Sequence, residues 1–455
     1  MNKKQKCFKI LNIKAYQNNT NTSYKIQGGQ KLSGVISVNS SKNSAVILLA
    51  ASLINNGITE FFNFPEMEDT KRMIEILKSI GVKFKWAEPR HLIIKPPKKL
   101  AIKKINYQSA SKTRSTLLLL GPLIHKFKTF KLPKSGGCKL GSRTVAPHLY
   151  ALENFGVRIE DHPHYYLVNY QIKTGTRNIV LYESSDTATG NALLAAALTP
   201  GKTIIKHASA NYQIQELCYY LEKLGVRIDN IGSTTVIVYG RPALNQSVKY
   251  TLAEDPIEAM LFISLAVTTH STLTIKRCPI DFLELELLKL EKMGLKFSLS
   301  KKYKSYNKRT VLVDLKIKPS KLVALEEKIY ARPFPGVNID NLPFFVPIAT
   351  QIKGRTLIHD WVYENRAIYY TELAKLGANI TLADPHRVFI DGPTKLKATE
   401  IISPPALRPA AIILIAMLAA SGQSILRNVY SIRRGYEDLV KRLQGLGAKI
   451  EKING

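Results

Sequence analysis

The chain has 455 residues, more than one hydrophobic core usually supports, and its hydrophobic fraction of 45% is that of a globular protein. Its 66 Lys and Arg against 34 Asp and Glu leave a formal charge of +32, a surface that attracts polyanions of any kind. The lysines are scattered through the whole length, with no arginine-rich arm and no aromatic stacking platform. No specific nucleic-acid partner is therefore expected, and a local subset of the charge is read as binding an anionic substrate. Apolar runs are broken by Gly, Pro or Lys within about fifteen residues, short of a bilayer span. The N-terminal MNKKQKCFKILNIKAYQ lacks the continuous apolar core of a signal peptide, so a cytoplasmic protein with no membrane partner is expected.

Residues 1–23 read as a mobile, Asn/Lys-rich extension. Beyond them one cadence returns six times, as EILKSIGVKFKW, ALENFGVRIED, YLEKLGVRIDN, KLEKMGLKFSL, ELAKLGANITL and RLQGLGAKIEK, with Gly at 81, 156, 225, 294, 377 and 447. Each copy is an amphipathic helix, a glycine suited to the left-handed C-cap, and a short strand. Between the copies lie LAASLINNGITEFFNF, LLLLGPLIHKFKTFKL, LLAAALTPGKTIIKHA, LFISLAVTTHSTLTIKR, FFVPIATQIKGRTLIHD and LIAMLAASGQSILRNV. These read as helices apolar nearly all round, hence buried on every side, each followed by a strand. Six α/β units of roughly seventy residues divide most simply into two domains of three with a cleft between them.

Residues suited to chemistry fall in the loops entering the apolar helices. Lys42 and Asn43 stand at the start of one. A cation beside free helix N–H groups is unfavourable for the helix alone; a shared anion would explain it, and a solvated capping lysine is the plainer alternative. Arg114 precedes an all-apolar run, where a guanidinium needs a partner. In PKSGGCKLGSR, Gly136, Gly137 and Gly141 free the backbone, while Lys134, Lys139 and Arg143 would stabilise a thiolate at Cys138. The other thiols look inert: Cys7 is terminal, Cys218 is on a helix face and Cys278 follows a strand, with no spacing for zinc or a disulfide framework. Later come Asp340, Arg366, Arg408, Arg433 and Arg434, at helix entrances. Arginines so placed suit bidentate binding of carboxylate and phosphate, although each alone is more often a structural ion-pair partner.

GGQKLSGVISVNSSKNSAV and LPKSGGCKLGSR resemble motifs of the UDP-N-acetylglucosamine enolpyruvyl transferase (1-carboxyvinyltransferase) family, and the resemblance runs from about residue 24 to the C-terminus. It implies two inside-out α/β domains, residues 1–41 with 253–455 and residues 42–252, and an active site between them. It also implies transfer of the enolpyruvyl group from phosphoenolpyruvate to the 3-hydroxyl of UDP-N-acetylglucosamine, with no metal or organic cofactor. Lys42, Cys138, Asp340 and Arg434 would be catalytic, Cys138 as proton donor and target of fosfomycin, Asp340 as the carboxylate at the acceptor hydroxyl. Lys42, Asn43, Arg143, Arg408 and Arg434 would hold phosphoenolpyruvate. Asn43, Arg114, Arg143, Thr144, Val145, Ala146 and Pro147 would contact the sugar nucleotide, with Glu183, Ser184, Ser185, Asp186, Asp340, Val362 and Arg366.

The chain departs from the family pattern at Ala146 and Pro147 after the Cys loop, at Ala406 before Leu407-Arg408, at Asn211 and Gln213 where acids are usual, and at Pro256 where Arg is usual. These changes touch nucleotide recognition and loop closure more than the anion site. They keep open a catalytically weak regulatory paralogue that binds a sugar nucleotide. A third possibility, enolpyruvyl transfer to shikimate 3-phosphate, is opposed by SSKNSAV and GGCKLG.

Overall fold

The run Pro256–Thr268 has no polar stripe to turn to water, and all 13 of its residues are buried. The computed structural model, which describes residues 22–136, 144–171, 173 and 175–454, is organised around such helices. The buried apolar residues form two clusters. One is built on Lys42–Ala51, Asp186–Ala197 and Tyr212–Lys223, and its members run from Ala45 to Leu252. The other is built on Pro256–Thr268, Phe345–Ala349 and Leu407–Ala419, together with Tyr24–Val38 at the start of the described chain. A single side chain from the middle segment, Tyr212, belongs to this second cluster.

Six sheets, one per repeat, wrap these helices. Within each, consecutive strands pair antiparallel, as Gly354–His359 does with Arg387–Gly392. Five of the six also take one parallel strand from elsewhere in the chain. Val248–Thr251 pairs with Thr59–Phe62 and so closes the middle segment on itself, while Ser33–Ser37 pairs with Thr272–Pro279. Thr22–Gly28 lies between Gly422–Arg427 and Lys449–Asn454, so residues 22 and 23, expected in the extension, are part of a sheet. Residues 1–21 lie outside the described residues. The chain passes between the clusters at two adjacent places: Ser41 N–H donates to the Ala253 carbonyl at 3.1 Å and Asp255 N–H to the Asn39 carbonyl at 2.8 Å.

All six repeat glycines have positive φ, from 85° at Gly377 to 103° at Gly294, as the left-handed cap demands. Two apolar runs differ from the expected single helix. Arg114–Leu119 and Leu342–Phe344 are 3-10 turns that continue as short α-helices, Leu120–Leu123 and Phe345–Ala349. Prolines 122, 343 and 347 remove backbone donors there, which shortens regular helix. The run Ala367–Leu376, read as an amphipathic α-helix, is 3-10 throughout. Cys278 lies inside the strand Thr272–Pro279 rather than after it.

Candidate active site

Ser41 caps the helix Lys42–Ala51, its hydroxyl accepting from Ser44 N–H at 3.2 Å, and this fixes the direction in which Lys42 leaves the first turn. The anion beside Lys42 is a protein carboxylate. Asp69, in the first turn of Glu68–Ser79, lies 3.2 Å from Lys42 Nζ and 3.1 Å from Arg434 Nε. Burial alone would raise the Asp69 carboxyl, but the charges of Lys42 and Arg434 outweigh it and hold the group below its usual range. Arg434 stands at the C-terminal end of the turn Tyr430–Arg433, a correction to its expected place at a helix entrance. A cation there is favourable to the helix dipole.

Asp340 is the second focus. Its carboxylate is 3.2 Å from Arg408 Nη2 and 3.7 Å from Arg366 Nη1. Burial pushes it up, and Arg408, Arg366 and Lys42 together pull it below the ordinary carboxylate value. Arg408, second in Leu407–Ala419, also donates to the Tyr436 hydroxyl at 2.6 Å, while its buried Nε meets no acceptor among the described residues. Arg366 is buried. Its guanidinium is forked onto Asp360 at 2.6 and 2.8 Å and donates to the Ile339 carbonyl, which makes it a scaffold for the Asp340 loop. Asp255, which caps Pro256–Thr268 through Ile257 N–H, lies in the same field, and burial raises it to about 6 although Arg408 opposes this.

Asn43 donates from Nδ2 to the Tyr212 hydroxyl at 3.0 Å. Asp186, at the start of Asp186–Ala197, accepts from Ser209 Oγ at 2.5 Å and Asn211 Nδ2 at 3.0 Å; burial lifts its carboxyl, and Asp340 adds to the rise. Asn211 also accepts from Asn338 Nδ2 at 3.4 Å, two residues before Asp340. Arg114 donates to the Thr144 carbonyl at 2.8 Å, and the Thr144 hydroxyl accepts from Ala146 N–H at 3.1 Å, which starts the helix containing Pro147. The Ser184 hydroxyl contacts the Ala208 carbonyl, and Ser185 N–H meets the Glu183 carbonyl. Val145 packs at the edge of the first cluster, and Val362 is exposed.

Lys42, Arg434, Asp340, Arg408 and Arg366 thus share one charged region, and Asn43, Asp186 and Tyr212 border it. Cys138 and Arg143, with Gly137, Lys139 and Gly141, lie outside the described residues. The sequence reading missed Asp69, Asp255, Asp360 and Tyr212. An acid in a helix's first turn is so ordinary that it carries no signal, and nothing local marks Tyr212. A hollow of about 250 Å³ lined by Asp281, Phe282, Glu286 and Phe334 contains none of the predicted residues.

Residues 26–443 match the family model described as EPSP synthase (3-phosphoshikimate 1-carboxyvinyltransferase). The UDP-N-acetylglucosamine 1-carboxyvinyltransferase of Treponema denticola is 35% identical over 94% of this chain and 98% of its own. That of Treponema pallidum is 32% identical over 94% and 99%. Among solved structures, the enolpyruvyl transferase NikO from Streptomyces tendae superposes with a TM-score of 0.80 at 24% identity, over 96% of this chain and 100% of that one. EPSP synthase from Acinetobacter baumannii gives 0.75 at 18%, over 95% and 100%. Model, relatives and fold converge: the chain belongs to the EPSP synthase family of enolpyruvyl transferases, alongside its UDP-N-acetylglucosamine 1-carboxyvinyltransferase members.

Proposed function

We propose that the chain transfers the enolpyruvyl group of phosphoenolpyruvate to the 3-hydroxyl of UDP-N-acetylglucosamine and releases phosphate, the step that opens peptidoglycan precursor synthesis. The observation that carries the mechanism is the convergence of Lys42, Arg408 and Arg434, from three distant segments, on the carboxylates Asp69 and Asp340. A polyanionic substrate entering there meets cations already oriented by the protein, so little reorganisation is left for the reaction.

In this reading Lys42, Arg143, Arg408 and Arg434 hold phosphoenolpyruvate, the free Arg408 Nε–H taking one of its oxygens and Asn43 lying against it. Cys138 gives a proton to the methylene carbon. The C2 centre that results is attacked by the 3-hydroxyl oxygen, whose proton passes to Asp340. Loss of a methyl proton then expels phosphate and restores the double bond. The sugar nucleotide lies along Asn43, Arg114, Arg143, Thr144, Val145, Ala146, Pro147, Glu183, Ser184, Ser185, Asp186, Asp340, Val362 and Arg366. The two clusters are two domains, residues 1–41 with 253–455 and residues 42–252. The protein acts in the cytoplasm on these small molecules, with no nucleic-acid or membrane partner. Among the described residues no helix is long and apolar enough to cross a membrane.

The test is phosphate release from phosphoenolpyruvate with each acceptor. Release is expected with UDP-N-acetylglucosamine and not with shikimate 3-phosphate, and Lys42→Ala should cost orders of magnitude in kcat/KM. Release with neither acceptor, or undiminished turnover by Lys42→Ala, overturns the reading. Fosfomycin should leave one adduct, on the peptide that contains Cys138.

A further inference from the structure

Tyr212 crosses the boundary between the two clusters. It is the first residue of the helix Tyr212–Lys223, which packs in the cluster of the middle segment, yet its own ring lies 5% exposed in the other cluster and meets Phe282 edge-on at 5.9 Å. The hydroxyl at the far end of that ring accepts the Asn43 side chain at 3.0 Å across 169 residues. Ser41, on the other side of Lys42, also lies near this hydroxyl. Burial, then the charge of Asp255, keeps the phenol protonated far above its ordinary range. Asp340 and Arg408 lie close enough to act on it as well.

We propose that Tyr212 is a positioning residue for the transfer reaction, its hydroxyl fixing the orientation of the Asn43 carboxamide. An amide held through one Nδ2–H presents its oxygen and its second N–H in set directions. Without a fixed partner the group rotates, and each ligand must order it on binding. The helices that carry Tyr212 and Asn43 both belong to the middle segment's cluster, so this hydrogen bond ties two elements of one cluster together while the ring reaches into the other.

This rests on the proposed reading of Asn43 as a contact of the substrates. Tyr212→Phe keeps the ring and its packing and removes only the oxygen. It should raise KM for UDP-N-acetylglucosamine roughly three- to tenfold, the worth of one hydrogen bond, with kcat within about twofold. In the Asn43→Ala background the same change should add less than about twofold, because the group it orients is gone. Asn43→Gln retains the amide but displaces it by a methylene, and should lose as much as Asn43→Ala; it reads the same requirement without altering Tyr212. Wild-type kinetics in Tyr212→Phe, a full additional loss in the double variant, or normal KM in Asn43→Gln overturns the role. Absence of transfer by the unaltered protein is a different result: it overturns the reaction reading, and this role with it.

Discussion

Asp255 sits among cations and still keeps its proton longer than an ordinary carboxyl. It is 4% exposed, and burial, opposed by Arg408 and helped by Glu258, brings it to about 6. In the unfolded chain the same group titrates near about 4. Between those values the native state binds a proton that the unfolded state has released, so stability falls as pH rises through the window and is flat above it. Asp255→Asn keeps an oxygen for the Ile257 N–H and cannot titrate. Its unfolding free energy relative to wild type should therefore rise by about 2 kcal/mol from pH 4 to pH 7, read from urea denaturation. Parallel pH profiles for the two proteins would refute this. The same residue shows what a sequence hides. Lys42, Arg408 and Asp340 could be picked out because a charge beside an apolar run needs a reason. Asp255 and Asp69 could not, because acids at helix starts are satisfied locally in most proteins, and here their second partners arrive from elsewhere in the chain.

At the scale of elements the repeat was the most legible feature, because a left-handed C-cap and an all-apolar helix are local demands that each copy states for itself. Gly447 isolates the backbone part of that demand. Its φ is 91°, and an added Cβ would meet nothing within 4 Å, so Gly447→Ala costs only the left-handed conformation, about 1 kcal/mol. Gly156 has φ 89°, and a Cβ there would fall 2.0 Å from the Gln171 carbonyl oxygen. The backbone at Gln171, just past the strand Tyr165–Tyr170, must then move, and Gly156→Ala should lower the melting temperature distinctly more than Gly447→Ala does. Equal shifts would show that the cap conformation alone sets the cost. Helix length was less legible than the cap. The periodicity of LLLLGPLIHK and NLPFFVPIA is helical, but proline decides how many backbone donors remain to continue a turn, and tertiary contacts settle the rest: Gly121 N–H is taken by the Asn191 side chain at 2.8 Å.

For the whole molecule, the parallel strands say which segments share a sheet, and the charged contacts say how the two clusters meet. Around Tyr430–Glu437 the terminal segments hold the middle one through a continuous set. Arg434 reaches Asp69 and Arg433 reaches Glu68 at 4.0 Å; Tyr430 accepts from Arg72 at 2.5 Å, and Glu437 pairs with Arg90 and accepts from Glu66 N–H at 3.4 Å. Arg90 itself is braced by Asn63 at 2.9 Å and by Ser40, beside the chain crossing, at 2.7 Å. A cation so fixed cannot follow a lost partner into solvent without giving up those bonds. Glu437→Gln should therefore leave the Arg90 charge without its carboxylate where the clusters meet and shift the population toward separated clusters. Small-angle scattering should report a larger radius of gyration for Glu437→Gln than for wild type, UDP-N-acetylglucosamine should restore the compact value, and added salt should narrow the difference because the pair is partly open to solvent. Glu400→Gln serves as the control. Its partner Arg427 lies in the same sheet and both are exposed, so that pair is screened by water, contributes little and spans no boundary. Identical scattering from Glu437→Gln, Glu400→Gln and wild type would mean that apolar contacts such as the ring of Tyr212, and not this charged seam, hold the clusters together.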